Sequence, residues 1–282
     1  MVYGRRGNGA PEDSPKVRFE GTTPYADYGH IETLLSLQTP RTNAPAEYSF
    51  IVATQVMELL FTLLRHEWEN ARAQLDADDL RGALRTLRRS TGAQDVLISS
   101  WQLLATLTPA EFGAFRDSFG EASGFQSYGY RHLEFLLGNK RAGMVCPHAE
   151  MPSVVADLEK QLAEPSLYDA ALGVLRRRGL LSPGTAQEEA PDEVTPHAAD
   201  PAVQEAWRTV YTGPEYADLA DLAEALMEIA ERFIRWRQLH LTAVWRVMGD
   251  KPGSGGSAGA SWLAKTVHSR PFPELWALRN QL

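Results

Sequence analysis

One cysteine, Cys146, stands among 282 residues. A single thiol excludes any disulfide within the chain and suits a reducing compartment. Basic side chains are outnumbered, 28 Lys and Arg against 36 Asp and Glu, which leaves a formal charge of −8. That balance argues against a nucleic-acid partner. The short basic clusters, Arg85 to Arg89 and Arg176-Arg177-Arg178, fall inside helical patterns and read as solvated faces. No apolar run approaches the length of a membrane span, so no membrane partner is expected. Alternating β-branched runs bounded by turns are scarce, and no internal repeat is visible. Residues 1–20 are polar, rich in Gly and Pro, and lack a signal-peptide core, so they read as a flexible arm. These absences point to a soluble, cytoplasmic, all-α protein with one large domain over 21–282.

What is present is helical periodicity. Ile31, Leu34, Leu35 and Leu37 predict a short helix ended by Pro40. From Ser49 to about Leu75, apolar residues recur at helical intervals through Phe50, Met57, Phe61, Leu64 and Trp68. Asp78-Asp79 offers carboxylates to free N–H groups and opens a helix running to Leu104 or beyond. Thr108-Pro109-Ala110-Glu111 is a helix start: cap, first-turn proline, and a glutamate three residues on. Further helices are expected over Tyr130–Leu137, Val154–Leu162, Leu167–Leu175, Pro201–Tyr211 and Tyr216–Met248. An irregular connector runs from Arg141 to Pro152, and 182–201, rich in Pro, Glu and Ala, reads as a surface loop.

Near the end of the longest pattern, His240 sits among apolar residues, and the loop Gly253-Ser254-Gly255-Gly256-Ser257-Ala258-Gly259 follows about four helical turns later. One imidazole with no cysteine or second histidine nearby cannot build a structural zinc site. It suffices as the one protein bond to a haem iron. By itself a lone helical histidine is more often a satisfied core or surface residue than a ligand, because it carries no spacing information. The loop offers backbone N–H groups and hydroxyls to a polar substrate end.

Several separated motifs change that balance. Tyr25-Ala26-Asp27-Tyr28 is followed by LLSLQTP; EYSFIVATQVME spans Glu47 to Glu58; AFRDSFGEASGFQSYGYRHLEFLLGNK spans Ala114 to Lys140. The chain then carries WR…H…RVxG…KxGxGGSxG and a terminal FPELW. In this order they resemble the tryptophan 2,3-dioxygenase family from about Thr23 to about Leu278. The resemblance implies a homotetrameric, helical, haem b enzyme that adds oxygen from O2 to the indole of an aromatic amino acid. It implies His240 as the proximal iron ligand, with Trp101 beside the cofactor. It also implies Arg116 as the partner of the substrate carboxylate, a role that suits a planar, bidentate guanidinium. Ser254 stands where the family usually has threonine and keeps the hydroxyl that meets the substrate ammonium. Phe50 corresponds to a ring packed against the indole, Ser123 to a pocket-lining position, and Tyr25 and Tyr28 to residues lent by a neighbouring subunit.

The chain also departs from the pattern. Thr54 stands where the family has its distal histidine, and Phe112 replaces the tyrosine before the FRD motif. A threonine hydroxyl is short and no base near neutral pH. The departure suggests a pocket for a substituted tryptophan, for example one methylated at the β-carbon, and a mono-oxygenated 2-oxindole product. The alternative is conventional cleavage of tryptophan's pyrrole ring to N-formylkynurenine. A non-catalytic haem sensor has no use for the Arg116 and Ser254 clamp, and a cofactor-free helical protein none for His240 in its motif.

Overall fold

The structure is a computed structural model that describes residues 15–182 and 199–282. Residues 1–14 of the expected arm and 183–198 of the expected loop lie outside the described residues. The chain divides into two compact units, 1–39 and 40–282. In the first, the Thr23 hydroxyl accepts from the Ala26 N–H at 3.3 Å and starts α1 (Pro24–Tyr28). His30 at φ 48° then turns the chain into α2 (Ile31–Leu35). Neither helix buries a residue.

The second unit opens with α3 (Pro45–Asp76) and α4 (Leu80–Ala105), then α5 (Pro109–Arg116), α6 (Tyr128–Leu136), α7 (Pro152–Ala163) and α8 (Leu167–Arg177). It continues through α9 (Pro201–Thr212), α10 (Ala217–Met248), α11 (Ala260–Val267) and α12 (Pro273–Leu278). No strand occurs among the described residues, as expected. Helix α3 begins at Pro45, one turn before the apolar pattern, because proline suits the first turn. Of the two aspartates expected to open α4, Asp79 accepts from Gly82 N–H, whereas Asp78 takes φ 59° in the turn. Short 3-10 turns fill the connector at Ala142–Met144 and Cys146–His148.

The packing follows from three apolar seams. On α3 the buried residues Ala53, Met57, Phe61, Leu64, Trp68, Ala71 and Leu75 step by three or four. On α4, Ala83, Leu87, Ser90, Gln94, Leu97, Trp101 and Leu104 do the same, and on α10 so do Leu219, Leu222, Leu226, Ile229, Phe233 and Trp236. A stripe with this spacing faces a neighbouring helix along its whole length. Some polar groups on the seams are paired: Trp68 Nε1 donates to Ser90 Oγ at 3.0 Å, and Gln94 Nε2 to the Ile229 carbonyl at 3.0 Å, whereas Gln94 Oε1 and the indole N–H groups of Trp101 and Trp236 are buried without a hydrogen-bond partner among the described residues. These contacts set α3 and α4 antiparallel and α4 and α10 parallel. Truncating the fully buried Trp68 to alanine would cost about 3–5 kcal/mol.

One end of this three-helix layer therefore gathers the first turns of α3 and the last turns of α4 and α10. Helix α3 is long and apolar enough to cross a membrane by length and composition only, a test that the core helix of a soluble protein also passes. Tyr48, Leu59 and Leu63 are its exposed large side chains.

Candidate functional site

At that gathered end, His240 extends the α10 seam one step past Trp236, and Trp101 lies near the end of the α4 seam. The two rings stack, with centroids 4.7 Å apart and planes at 19°. Trp236 meets His240 at 5.7 Å and Trp101 at 5.5 Å. Burial pushes the His240 pKa down to about 4, so the ring is neutral at physiological pH. Among the described residues neither ring nitrogen makes a hydrogen bond, so a side-chain partner that fixes the tautomer is not found. A neutral imidazole with a free lone pair in an aromatic setting is what a haem iron requires of its single protein ligand. The residues present fit the group.

A buried ionic network underlies this end of α10. Arg237 Nε donates to Tyr130 Oη at 2.6 Å, and its Nη2 to Glu134 at 2.7 Å. Its Nη1 reaches the carbonyls of Thr266 and Ser269 at 3.1 and 2.9 Å. Arg131 pairs with the other Glu134 oxygen. Burial alone would raise Glu134, but the two guanidiniums overturn it and hold the carboxyl below its usual range. Tyr130 is pushed up to about 12, chiefly by burial. Tyr130 also packs on Phe61, Phe233 and Trp236, so the network braces the helix turn that carries His240.

A second group forms from short segments. Arg116 closes α5, and its Nη2 donates to the Pro252 carbonyl at 2.6 Å. Ser254 Oγ donates to the Ala122 carbonyl at 2.5 Å. Ser123 caps the 3-10 turn Gly124–Gln126, and a Cβ on Gly255 would lie 2.7 Å from the Ser123 Cβ, so only glycine allows this approach. The fold thus brings the segments that carry Arg116, Ser123 and Ser254 together. Phe50, half-buried on α3, is surrounded by Phe112, Phe115 and Phe119 at 5.9, 5.6 and 4.9 Å. One turn on, Thr54 is exposed, and its hydroxyl donates to the Phe50 carbonyl at 2.9 Å.

Among the described residues, no hydrogen bond or ring pair joins the His240 group to the Arg116 group. Tyr25 and Tyr28 belong to the first unit and are 78% and 92% exposed. Three participants escaped the sequence reading. Phe115 and Phe119 follow Phe112 at three- and seven-residue steps, a helical signal that was there to be read. Glu58, one turn beyond Thr54, is raised by burial, and the Ser127 hydroxyl offsets this only in part.

A family model described as tryptophan 2,3-dioxygenase matches residues 11–190 and 198–282. A tryptophan 2,3-dioxygenase of Pseudomonas fluorescens is 42% identical over 268 residues, 95% of this chain and 94% of that protein. One from Polaromonas sp. is 40% identical over 272 residues, 96% of this chain and 92% of its own. One from Bradyrhizobium sp. is 41% identical over 271 residues, 96% of each. The match covers nearly the whole length on both sides, and the chain belongs to the tryptophan 2,3-dioxygenase family.

Proposed function

We propose that the chain is a haem b oxygenase of tryptophan that places both atoms of O2 across the indole C2–C3 bond and opens the ring to N-formylkynurenine. The observation that carries this reading is the half-buried His240, stacked on Trp101 at 4.7 Å at one end of the α3–α4–α10 layer. His240 would hold the iron of a bound haem, with Trp101 among the residues beside it, and the haem would supply O2 activation. The chain's own residues orient the substrate. Arg116 receives the carboxylate, Ser254 and Ser123 line the ammonium end, and Phe50 packs against the indole. Guanidinium and hydroxyl donors now engaged with backbone carbonyls exchange those partners for the substrate. The reaction is balanced without an external reductant, since tryptophan and O2 together contain every atom of the product.

Thr54 motivates a second reading, mono-oxygenation of a substituted tryptophan to a 2-oxindole. Its hydroxyl is engaged by the Phe50 carbonyl, and it offers no base to the ring N–H. That outcome needs two electrons from a separate donor. The names of the relatives favour ring cleavage. Tyr25 and Tyr28 complete the pocket of a neighbouring subunit in a homotetramer, which suits their exposure and that of Tyr48, Leu59 and Leu63. The functional domain is 21–282, and the enzyme is cytoplasmic. Turnover under labelled O2 with tryptophan and β-methyltryptophan, products weighed by mass spectrometry, tests the proposal. Two labelled atoms in the product support ring cleavage, one overturns it in favour of mono-oxygenation, and none with either substrate removes the oxygenase reading.

A further inference from the structure

Phe50, assigned above to the substrate's indole, already carries a ring. Phe119 lies on it with centroids 4.9 Å apart and planes at 25°. Phe112 and Phe115 approach the same ring at tilts of 52° and 56°. Only Phe119 makes the near-parallel contact that an indole would make with a phenyl face. Its setting suits displacement. Phe119 ends the 3-10 turn Asp117–Phe119, which follows α5 without a break, and Gly120 comes next at φ 58°. Phe119 also meets Phe112 and Phe115 edge-on at 5.9 and 5.6 Å. A Cβ at Gly120 would meet nothing within 4 Å, and glycine crosses to other backbone regions at little steric cost. The segment is held in its middle by Arg41, whose Nη1 donates to the Ser118 carbonyl at 3.1 Å, and at its ends by the groups assigned above to the amino-acid part of the substrate. Arg116 precedes it and bonds Pro252; Ala122 accepts from Ser254.

We infer that Phe119 is a built-in stand-in for the substrate ring: it covers the face of Phe50, and the arriving indole displaces it. The inference rests on the reading of Phe50 as the indole contact. A protein whose binding-competent form is a fraction of the population shows an affinity lowered by that fraction. The stack therefore weakens tryptophan binding, and it screens ligands, because a side chain without an aromatic face cannot replace the contact it breaks. The sign separates this role from ordinary wall packing. A wall residue made smaller leaves a gap and weakens binding; a plug made smaller strengthens it.

The experiment uses the haem-loaded full chain and its Phe119→Leu and Phe119→Ala variants, with Kd for L-tryptophan measured by titration calorimetry. Leucine keeps the apolar bulk and cannot stack. Both variants are expected to bind tryptophan about two- to tenfold tighter, the range set by one aromatic pair. Circular dichroism reports whether Phe119→Ala folds, and if it does not, Phe119→Leu carries the test. Binding by Phe119→Leu that is equal to or weaker than wild type overturns the plug alone. A wild-type protein that binds no tryptophan overturns the indole pocket, and the plug with it.

Discussion

His240 and Arg116 both lie near helix C-termini, but the helices differ in kind. His240 sits near the end of the 32-residue α10, on a seam buried along its length and braced by Arg237, Tyr130 and Glu134. Arg116 closes the eight-residue α5, and its bond to Pro252 ties the helix end to an irregular segment. Long helices hold a ligand through many distant contacts, and removing one leaves the rest in place. Short segments hold a side chain through one or two hydrogen bonds, which a substrate can replace. The iron side is therefore built for constancy of position, and the substrate side for exchange of partners.

The comparison is broken most directly at His240. Replacing it with alanine should abolish tight haem binding, seen as loss of the Soret band after reconstitution, while the helical circular dichroism persists. An unchanged Soret spectrum would remove the iron assignment. The brace comes next. Glu134→Ala strands two buried guanidiniums, Arg131 and Arg237, and should cost about 3–5 kcal/mol of stability in denaturant unfolding. A loss below about 1 kcal/mol would show that the proximal side is not held by this network.

Arg116→Ala should do the reverse, leaving unfolding nearly unchanged while weakening tryptophan binding by about 2–5 kcal/mol. Arg116→Lys should recover only part of this, since a point charge cannot copy the planar fork. Equal Kd values across the three proteins would end the clamp assignment.

Acid sharpens the contrast further. His240 and His132 are both held near 4, well below the ordinary 6.5, His132 first by burial and then by the Arg65 guanidinium. The unfolded chain thus binds more protons than the folded one between 6.5 and 4. Stability is fully present above pH 6.5 and falls as pH drops through that window. Urea unfolding of His132→Asn across it should show a shallower decline than wild type. The smallest effect belongs to Thr54→His. One restored hydrogen bond to the indole N–H is worth about 0.5–1.5 kcal/mol and should raise the kcat/KM ratio of tryptophan over β-methyltryptophan. An unchanged ratio would make the departure at Thr54 incidental.

Much of this architecture was legible in one dimension. The seams of α3, α4 and α10 repeat every three or four residues, and His240 falls in step with the last of them. Thr108 and Glu111 announced α5, and the reciprocal bonds between them are present. Helices α11 and α12 went unread, because eight and six residues are too few for a period to stand out. Asp78 and Asp79 looked alike as caps, and only the turn geometry separates them.

By itself, then, the sequence determined the helical class, the seams and the residue types at the site, because side-chain chemistry and a 3.6-residue period are local properties. The tertiary structure decided which ring stacks on which: Trp101 on His240, and Phe119 on Phe50. It also decided that Arg116 and Ser254 hold backbone carbonyls 136 and 132 residues away in the chain. Contacts of such separation depend on how helices dock in space, and no local pattern encodes that.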